Sequence, residues 1–193
     1  EYGFELGSYD RSKTLVVDPA QFVYATFIGT SADDRALGVA VDGTGAAYVT
    51  GRAYNATTNS FDVYVAKAAP DGASWVYVAF IGGSGVDEGY DIAVDATGAA
   101  YVVGATSSTN FPRTTGPDIT YGGGSTDAFI SKINPAGNAL VYSGYLGGSG
   151  MDFAEGVAVD VNGYAYVEGP TESTQATFPA LVGPDITHNG RFD

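Results

Sequence analysis

The chain has 193 residues, 45% hydrophobic and 13% aromatic, which is enough apolar material for one folded domain of ordinary size. Its net charge of −14 argues against a nucleic-acid partner, because proteins that bind nucleic acid normally present a basic face. The absence of cysteine excludes disulfides, thiolate-bound zinc and a thiol nucleophile. No apolar run approaches the roughly 20 residues of a membrane-spanning helix, so no membrane insertion is expected.

The first predicted elements are two β-favouring runs, TLVVDPA at residues 14–20 and FVYATFIGT at residues 22–30. The next is the stretch GVAVDGTGAAYVTG at residues 38–51, which returns at residues 91–104 and 156–169. Its alternating valines predict a strand, and the turn from Asp42 to Gly45 predicts a tight hairpin to a second strand. Asp95 and Asp160 repeat this position, so we interpret all three aspartates as turn formers.

Two more strands complete each unit. DVYVAK at residues 62–67 matches DAFISK at 127–132, and WVYVAFIGG at 75–83 matches LVYSGYLGG at 140–148. Each unit thus has four short strands, here called a, b, c and d, joined by hairpins. The second unit carries an additional loop between strands b and c, at residues 106–127, which is rich in Gly, Pro, Ser and Thr.

Four antiparallel strands repeated about every 50 residues predict an all-β fold, a β-propeller built of four-stranded blades. We expect a single module over residues 1–193. Residues 1–37 contain strands c and d of a split blade, 38–90 and 91–155 are two blades, and 156–193 contain strands a and b of the split blade with a loop. This amounts to about three blades, fewer than the four to eight of typical propellers.

The combination of LVYSGYLGGSGMD, the recurring GVAVD and AYV segments, the GPDIT loop and STDAFISKINPAGNALVYS resembles the SBBP family, named for seven-bladed β-propellers. The resemblance spans about residue 15 to the C-terminus. It implies a secreted or cell-surface bacterial or archaeal protein and no defined activity. The chain departs from the family pattern at Ala46, Ala99 and Tyr164, where the family usually has Asn.

Three arrangements would account for the incomplete blade. The chain is a piece of a longer propeller and continues into further blades, or two chains close one ring of about six blades. Alternatively, strands a and b at the C-terminal end accept strands c and d from the N-terminal end of another copy, which gives a ring or a filament. The partners expected are therefore further blades or a second copy.

The loops from strand d to strand a carry the best candidates for metal ligands. Asp34, Asp87 and Asp152 align in the three copies, and a ring of such carboxylates, one per blade, would bind Ca²⁺ through oxygen. Glu88 and Glu155, with Asp33 and Asp91, would assist. The simpler interpretation, which we favour, is a glycine-rich crossover capped by an aspartate.

Signals for catalysis are poor, and we expect no enzyme. His188 is the only histidine; it lies in a loop, and the partners of a catalytic triad are missing. Tyr121 and Phe111, in the long loop, are the aromatic residues freest to bind a glycan, whereas the recurrent tyrosines of strands b and d are expected to pack between blades. Asn55 begins a glycosylation sequon.

The sequence therefore predicts an extracellular structural or adhesive propeller module that assembles through its split blade. A module that binds a glycan or a cell-surface protein is the alternative, and a polysaccharide-active domain that uses loop carboxylates is a third.

Overall fold

The computed structural model describes residues 26–179, 187–190 and 192–193, and this part of the chain is all-β. Strands β1 to β4 and β5 to β8 form two four-stranded antiparallel sheets, and β9 and β10 form a two-stranded sheet. We call these sheets blade one, blade two and the half-blade. The strands are β1 Arg35–Val41, β2 Ala47–Asn55, β3 Ser60–Ala68, β4 Trp75–Ile81, β5 Asp87–Val94, β6 Ala100–Thr106, β7 Asp127–Ile133, β8 Leu140–Leu146, β9 Gly156–Val159 and β10 Ala165–Glu168.

The strand order within each sheet follows the chain, so every connection inside a blade is a hairpin. This confirms the predicted fold class, a partial β-propeller of four-stranded antiparallel blades. β1 and β5 begin before the predicted blade boundaries at residues 38 and 91. The strand predicted at residues 14–20 and the part of the strand predicted at residues 22–30 that precedes residue 26 lie outside the described residues; residues 26–30 are described and form no strand. Where the structure describes the chain, it contains no helix that could span a membrane.

The recurring Asp-x-x-Gly segment forms the hairpin turn between the first two strands of each sheet. The N–H of Gly45 donates to the carbonyl of Asp42 at 3.0 Å, and Gly45 has φ +89°. The Asp42 carboxylate accepts a further bond from the N–H of Thr44 at 2.9 Å. Asp95 and Asp160 hold their turns in the same way, so the prediction that these aspartates form turns is confirmed.

The last glycine of the repeated stretch is required by the strand beside it. A β-carbon on Gly51, Gly104 or Gly169 would lie within 2.2 Å of a backbone carbonyl oxygen of the neighbouring segment. In the two complete blades, the register of the first strand shifts by a bulge next to this glycine. The bulge brings one backbone against another, so only hydrogen fits on the facing α-carbon. The oxygens belong to Arg35, Glu88 and Phe153.

The core lies between blades. Val63 and Val65 of β3 are 0% exposed and belong to one cluster with Ile92, Val102 and Phe129 of blade two. A second cluster joins β6 and β7 of blade two to the half-blade. Each blade is therefore buried by its neighbour, which is how propeller repeats acquire a core.

The long loop between β6 and β7 turns back along the outer edge of β8. The N–H of Thr114 donates to the carbonyl of Ser143 at 3.0 Å, and that of Tyr145 donates to the carbonyl of Asp118 at 2.8 Å. Phe111 from the same loop is 1% exposed and packs on Phe129, with ring centroids 4.7 Å apart. The loop thus covers a sheet edge, and the prediction that Phe111 is free at the surface is wrong.

Replacing Gly104 by alanine should lower the free energy of unfolding by about 2 kcal/mol or more, because overpacking a close backbone contact costs roughly 1–3 kcal/mol. Its β-carbon would meet the carbonyl oxygen of Glu88 at 1.9 Å. Gly43→Ala is the matched control, since no atom lies within 4 Å of its added carbon. Urea unfolding followed by circular dichroism measures both variants, and equal stabilities would contradict the steric explanation.

Candidate functional site

Asp87 and Asp152, in the loops between blades, are buried and hold these loops together. Asp87 is 0% exposed, and its Oδ2 accepts bonds from the N–H of Gly83 at 2.8 Å and the hydroxyl of Ser108 at 2.9 Å. The hydroxyl of Thr106 donates to Oδ1. Both carboxylate oxygens are therefore occupied by donors from two segments, which ties the loop to the end of β6.

Asp152 repeats this arrangement before the half-blade. It is 1% exposed and accepts bonds from Gly148 N at 2.8 Å, from Ser173 Oγ at 2.8 Å and from the Thr171 hydroxyl. Asp34 accepts bonds from Tyr54 N at 2.9 Å and from Thr30 N. The donor pattern Thr-x-Ser recurs at residues 106–108 and 171–173, and this recurrence is the sequence signal for these partners.

The structure does not bring the predicted calcium ligands together. In the described ranges no group of three or more acidic or histidine side chains is placed to hold a metal ion. Glu88 faces the Arg52 guanidinium at 3.5 Å, and Asp33 pairs with the same arginine at 3.1 Å. Asp91 accepts a bond from Val157 N, and the backbone N–H of Glu155 donates to Glu168 O. The geometry agrees with the simpler interpretation, in which each loop aspartate caps a crossover.

A second buried carboxylate lies beside each of two loop aspartates. Asp127, the first residue of β7, is 0% exposed, and its carboxyl carbon and Asp152 Oδ2 both lie within 3.0 Å of the position a Gly147 β-carbon would take. Gly122 N donates to Asp127 Oδ2 at 2.6 Å, whereas Oδ1 is buried without a hydrogen-bond partner.

Burial raises the pKa of Asp127 to about 6; the charge of Asp152 adds to this, and the bond from Gly122 opposes it. In blade one Asp62 takes the same position and has donors at its oxygens, from Asn55 Nδ2 at 2.7 Å and Thr58 Oγ1 at 2.9 Å. The recurrence of aspartate at the start of strand c was the signal for these pairs.

The other residues that the sequence singled out, Asn55, Tyr121 and His188, lie in three different places. Asn55 is the last residue of β2, and its side-chain nitrogen donates to Asp62, so the sequon lies at a strand end. Tyr121 is half-buried, with its ring edge-on to Tyr145 at 5.7 Å. His188 is half-buried, and its backbone N–H donates to Gln175. Glycan binding and glycosylation at these residues stay predictions.

A lysine, a tyrosine and an aspartate form a cluster at the inner hairpin of each complete blade, and we call this cluster the tyrosine lock. In blade two, Lys132 Nζ lies 4.4 Å above the Tyr101 ring, donates to the Tyr101 hydroxyl and pairs with Asp95 at 3.1 Å. The Tyr101 hydroxyl lies 3.2 Å from the Gly163 carbonyl, in the turn of the half-blade. The lock thus joins neighbouring strands of one blade and reaches the next.

Blade one repeats the lock. Lys67 lies 4.7 Å above the Tyr48 ring and 3.3 Å from Asp42, and the Tyr48 hydroxyl lies 3.2 Å from the Gly98 carbonyl of blade two. Both tyrosines are 0% exposed, and tyrosines of strand d lie edge-on to them. The prediction that the recurrent tyrosines pack between blades is confirmed for Tyr48 and Tyr101.

The third copy of the lock is open. Tyr166 of β10 is 60% exposed. Asp160 accepts bonds from Asn162 N and Tyr164 N within its own turn, and no described lysine reaches it. The half-blade therefore leaves Tyr166 and the Asp160 carboxylate without the contacts seen in the complete blades. There, the equivalent tyrosine and aspartate contact a lysine, and the tyrosine also reaches the next blade.

Blade one has an open face at the opposite end. Val39, at 67%, and Phe80, at 44%, are exposed there, whereas Ile92 and Tyr145 at the same positions of blade two are 3% and 0% exposed. The difference arises because blade one and the long loop cover that face of blade two. The described part of the chain thus ends in an apolar face on one side and an open lock on the other.

Replacing Tyr101 by phenylalanine should lower the free energy of unfolding by about 1–2 kcal/mol, because it removes the hydroxyl shared by Lys132 and the Gly163 carbonyl. Tyr166→Phe removes the same atom from the exposed copy and should lower the free energy of unfolding by less than Tyr101→Phe does. Thermal unfolding compares the two variants. An equal loss at both positions would show that the lock contributes nothing between blades.

The raised pKa of Asp127 predicts a dependence of stability on pH. The native protein keeps a proton that the unfolded chain releases at its ordinary pKa, so this residue makes stability fall as pH rises from about 4 to about 6. Asp127→Asn removes that dependence, and the variant should melt a few degrees higher than the wild type at pH 7.5 but not at pH 4. If the melting temperatures of the wild type and the variant differed by the same amount at pH 4 and at pH 7.5, Asp127 would not be the source of the pH dependence.

Comparison with known proteins bears on the fold. Residues 76–112 match the family model SBBP, described as a β-propeller repeat. The matched segment contains nearly all of β4 and the whole of β5 and β6, so it crosses from blade one to blade two. No curated protein matches the chain. The match confirms the resemblance for this segment, so residues 76–112 carry a β-propeller repeat of the kind that the SBBP model describes.

Proposed function

We propose that this chain is an extracellular structural module that assembles with further propeller blades, which a second copy of the chain supplies. The observation that carries the proposal is the tyrosine lock. Two of its tyrosines are 0% exposed between blades, whereas the third, Tyr166, is 60% exposed at the end of the described sheets. A side chain that is buried in every complete repeat supports a role for its exposed copy in contact with another blade.

The apolar face of blade one supports the same role. Two of its exposed residues, Val39 and Phe80, correspond to the buried Ile92 and Tyr145 of blade two. The exposed apolar residues of blade one are Leu37, Val39, Val41, Val76, Val78 and Phe80. Several large apolar side chains on one sheet face are typical of an interaction surface. An interface between copies would also shield the sheet edge at β10, which pairs with β9 on its other side.

Export and the absence of catalysis are parts of this proposal. The resemblance to secreted and cell-surface propeller proteins supports export. The buried carboxylates of the described residues hold loops and turns through several hydrogen bonds each, which supports a structural role for them. An adhesive module would use the same assembly to display its loops.

Light scattering of the purified chain tests the assembly. We expect a native mass of at least twice the chain mass of 19.8 kDa. Val39→Asp should reduce it to the chain mass, because a charge on the apolar face cannot be buried against a partner without a large cost.

Val161→Asp is the matched control. Val161 is 98% exposed in a hairpin turn, and the corresponding residue of blade two, Ala96, is exposed although that blade is packed on both sides. This variant should keep the assembled mass. A wild-type chain that stays at 19.8 kDa at every concentration would contradict assembly between copies.

A further inference from the structure

Asp127 is a buried carboxylate that hydrogen bonds satisfy on one side only. It is 0% exposed, and its Oδ2 accepts a bond from Gly122 N at 2.6 Å, whereas its Oδ1 is buried without a hydrogen-bond partner. The hydroxyl of the preceding residue, Thr126, is also buried without a partner. Because folded proteins rarely leave a buried oxygen unpaired, Oδ1 marks a position for a ligand from outside the chain.

Blade one satisfies the equivalent carboxylate with side chains. Asp62 pairs with Ala53 in the ladder as Asp127 pairs with Thr106, and both of its oxygens accept bonds from Asn55 or Thr58. In blade two, the residue at the position of Asn55 is Ser108, two residues after Thr106. Its hydroxyl donates to Asp87 at 2.9 Å. The donors that neutralise this position in blade one are therefore missing in blade two.

Asp152 brings a second negative charge to the same place. Its Oδ2 lies 2.7 Å from the point that a β-carbon of Gly147 would occupy, and the Asp127 carboxyl carbon lies 3.0 Å from that point. Ca²⁺ holds its oxygen ligands at about 2.3–2.6 Å, so oxygens on opposite sides of one ion are about 5 Å apart. The spacing suits two carboxylates that share one ion, and Gly147 has no β-carbon to separate them.

No basic side chain offsets these charges. In the described ranges, neither Asp127 nor Asp152 pairs with a lysine or an arginine. Burial raises the pKa of Asp127, and the charges of Asp152 and Asp118 raise it further, whereas bonds from the N–H groups of Gly122 and Gly123 lower it. The charges that act on this carboxyl group are thus negative, and a bound cation would oppose them.

We propose that the junction of blade two and the half-blade binds one Ca²⁺ ion, with Asp127 Oδ1 as a ligand and Asp152 as the second negative charge. The side chains that contact Asp152 are hydroxyls, from Thr171 and Ser173, so the surroundings offer oxygen. Ca²⁺ accepts carboxylate, hydroxyl, carbonyl and water oxygens in a flexible geometry, whereas Mg²⁺ demands a near-ideal octahedron.

This site differs from the ring of loop aspartates that the sequence suggested. Its chief ligand, Asp127, belongs to β7, and blade one neutralises the equivalent residue without a metal ion. The ion joins the start of β7 to the loop before the half-blade, and Asp152 in turn holds Thr171 and Ser173, which follow β10. Calcium therefore stabilises the attachment of the half-blade to blade two.

Thermal unfolding of the full chain measures the effect of the ion. The protein is freed of metal with EDTA, which is also the condition for the pH comparison of Asp127→Asn, and is melted at pH 7.5 with CaCl₂ or MgCl₂. With a dissociation constant of about 0.1–1 mM, Ca²⁺ at about 10 mM should raise the melting temperature by about 3–10 °C, and Mg²⁺ by less. Asp127→Asn keeps the shape of the side chain without its charge and should abolish this shift.

Asp62→Asn is the matched control, because it removes the carboxylate at the same position of blade one. The bonds from Asn55 and Thr58 show that this carboxylate needs no ion. The variant should melt at a lower temperature than the wild type, but Ca²⁺ should raise its melting temperature by as much.

Terbium luminescence gives a readout that does not depend on stability. Tb³⁺ occupies oxygen sites for Ca²⁺ and emits when a nearby tyrosine is excited. Tyr121 is such a tyrosine: burial raises its pKa, and the charges of Asp127 and Asp152 raise it further. We expect emission that Ca²⁺ displaces, weaker emission from Tyr121→Phe and none from Asp127→Asn.

Two results would overturn the proposal. One is an equal Ca²⁺-induced shift in the wild type and in Asp127→Asn, and the other is the absence of both a shift and terbium emission. The native masses of the wild type and Val39→Asp are measured without Ca²⁺, so assembly between copies and calcium binding are tested separately.

Discussion

A four-stranded blade has two apolar faces, and it can bury them only against other blades. The consequence is visible in the exposure of equivalent residues: Ile92 is 3% exposed where blade one covers it, and Val39, at the same position of blade one, is 67% exposed. Burial of one such side chain contributes roughly 1.5–3 kcal/mol. Folding of each sheet is therefore coupled to its neighbours, and the repetition of sequence follows from the repetition of that interface.

The apolar contact brings the blades together, and polar groups at both ends of the strands fix how they meet. At the inner hairpins, the Tyr48 and Tyr101 hydroxyls reach carbonyls of the following turn. At the loops between blades, Asp87 and Asp152 each tie the chain entering a blade to the residues that follow its second strand. Since these groups are buried, a group that lost its hydrogen-bond partner could not bond to water instead, and the folded state would lose stability. Blade spacing is thus constrained by directional bonds as well as by packing.

The sequence predicted those features that depend on residues close together in the chain. Hairpins centred on Asp42, Asp95 and Asp160 followed from turn chemistry, and the four-stranded units followed from strand periodicity. The pair of Asp127 and Asp152 was missed because the two residues lie far apart in the chain, one at the start of β7 and the other in the loop after β8. Phe111 was placed at the surface because a Gly- and Pro-rich loop is normally exposed, whereas here the loop pairs with the edge of β8. Both errors thus concern contacts between segments that are far apart in the chain, which local sequence patterns do not reveal.

The few basic residues help to explain why an acidic chain can build specific interfaces. The side chains of Lys67, Lys132 and Arg52 are only 17–19% exposed, and all three pair with carboxylates inside or between blades. The surface is left predominantly acidic, which disfavours nonspecific association between copies through like-charge repulsion. In the proposed assembly, contact between copies would overcome this repulsion only where it buries apolar area, as the exposed face of blade one would. Repulsion over the rest of the surface would then disfavour every other way of joining two copies.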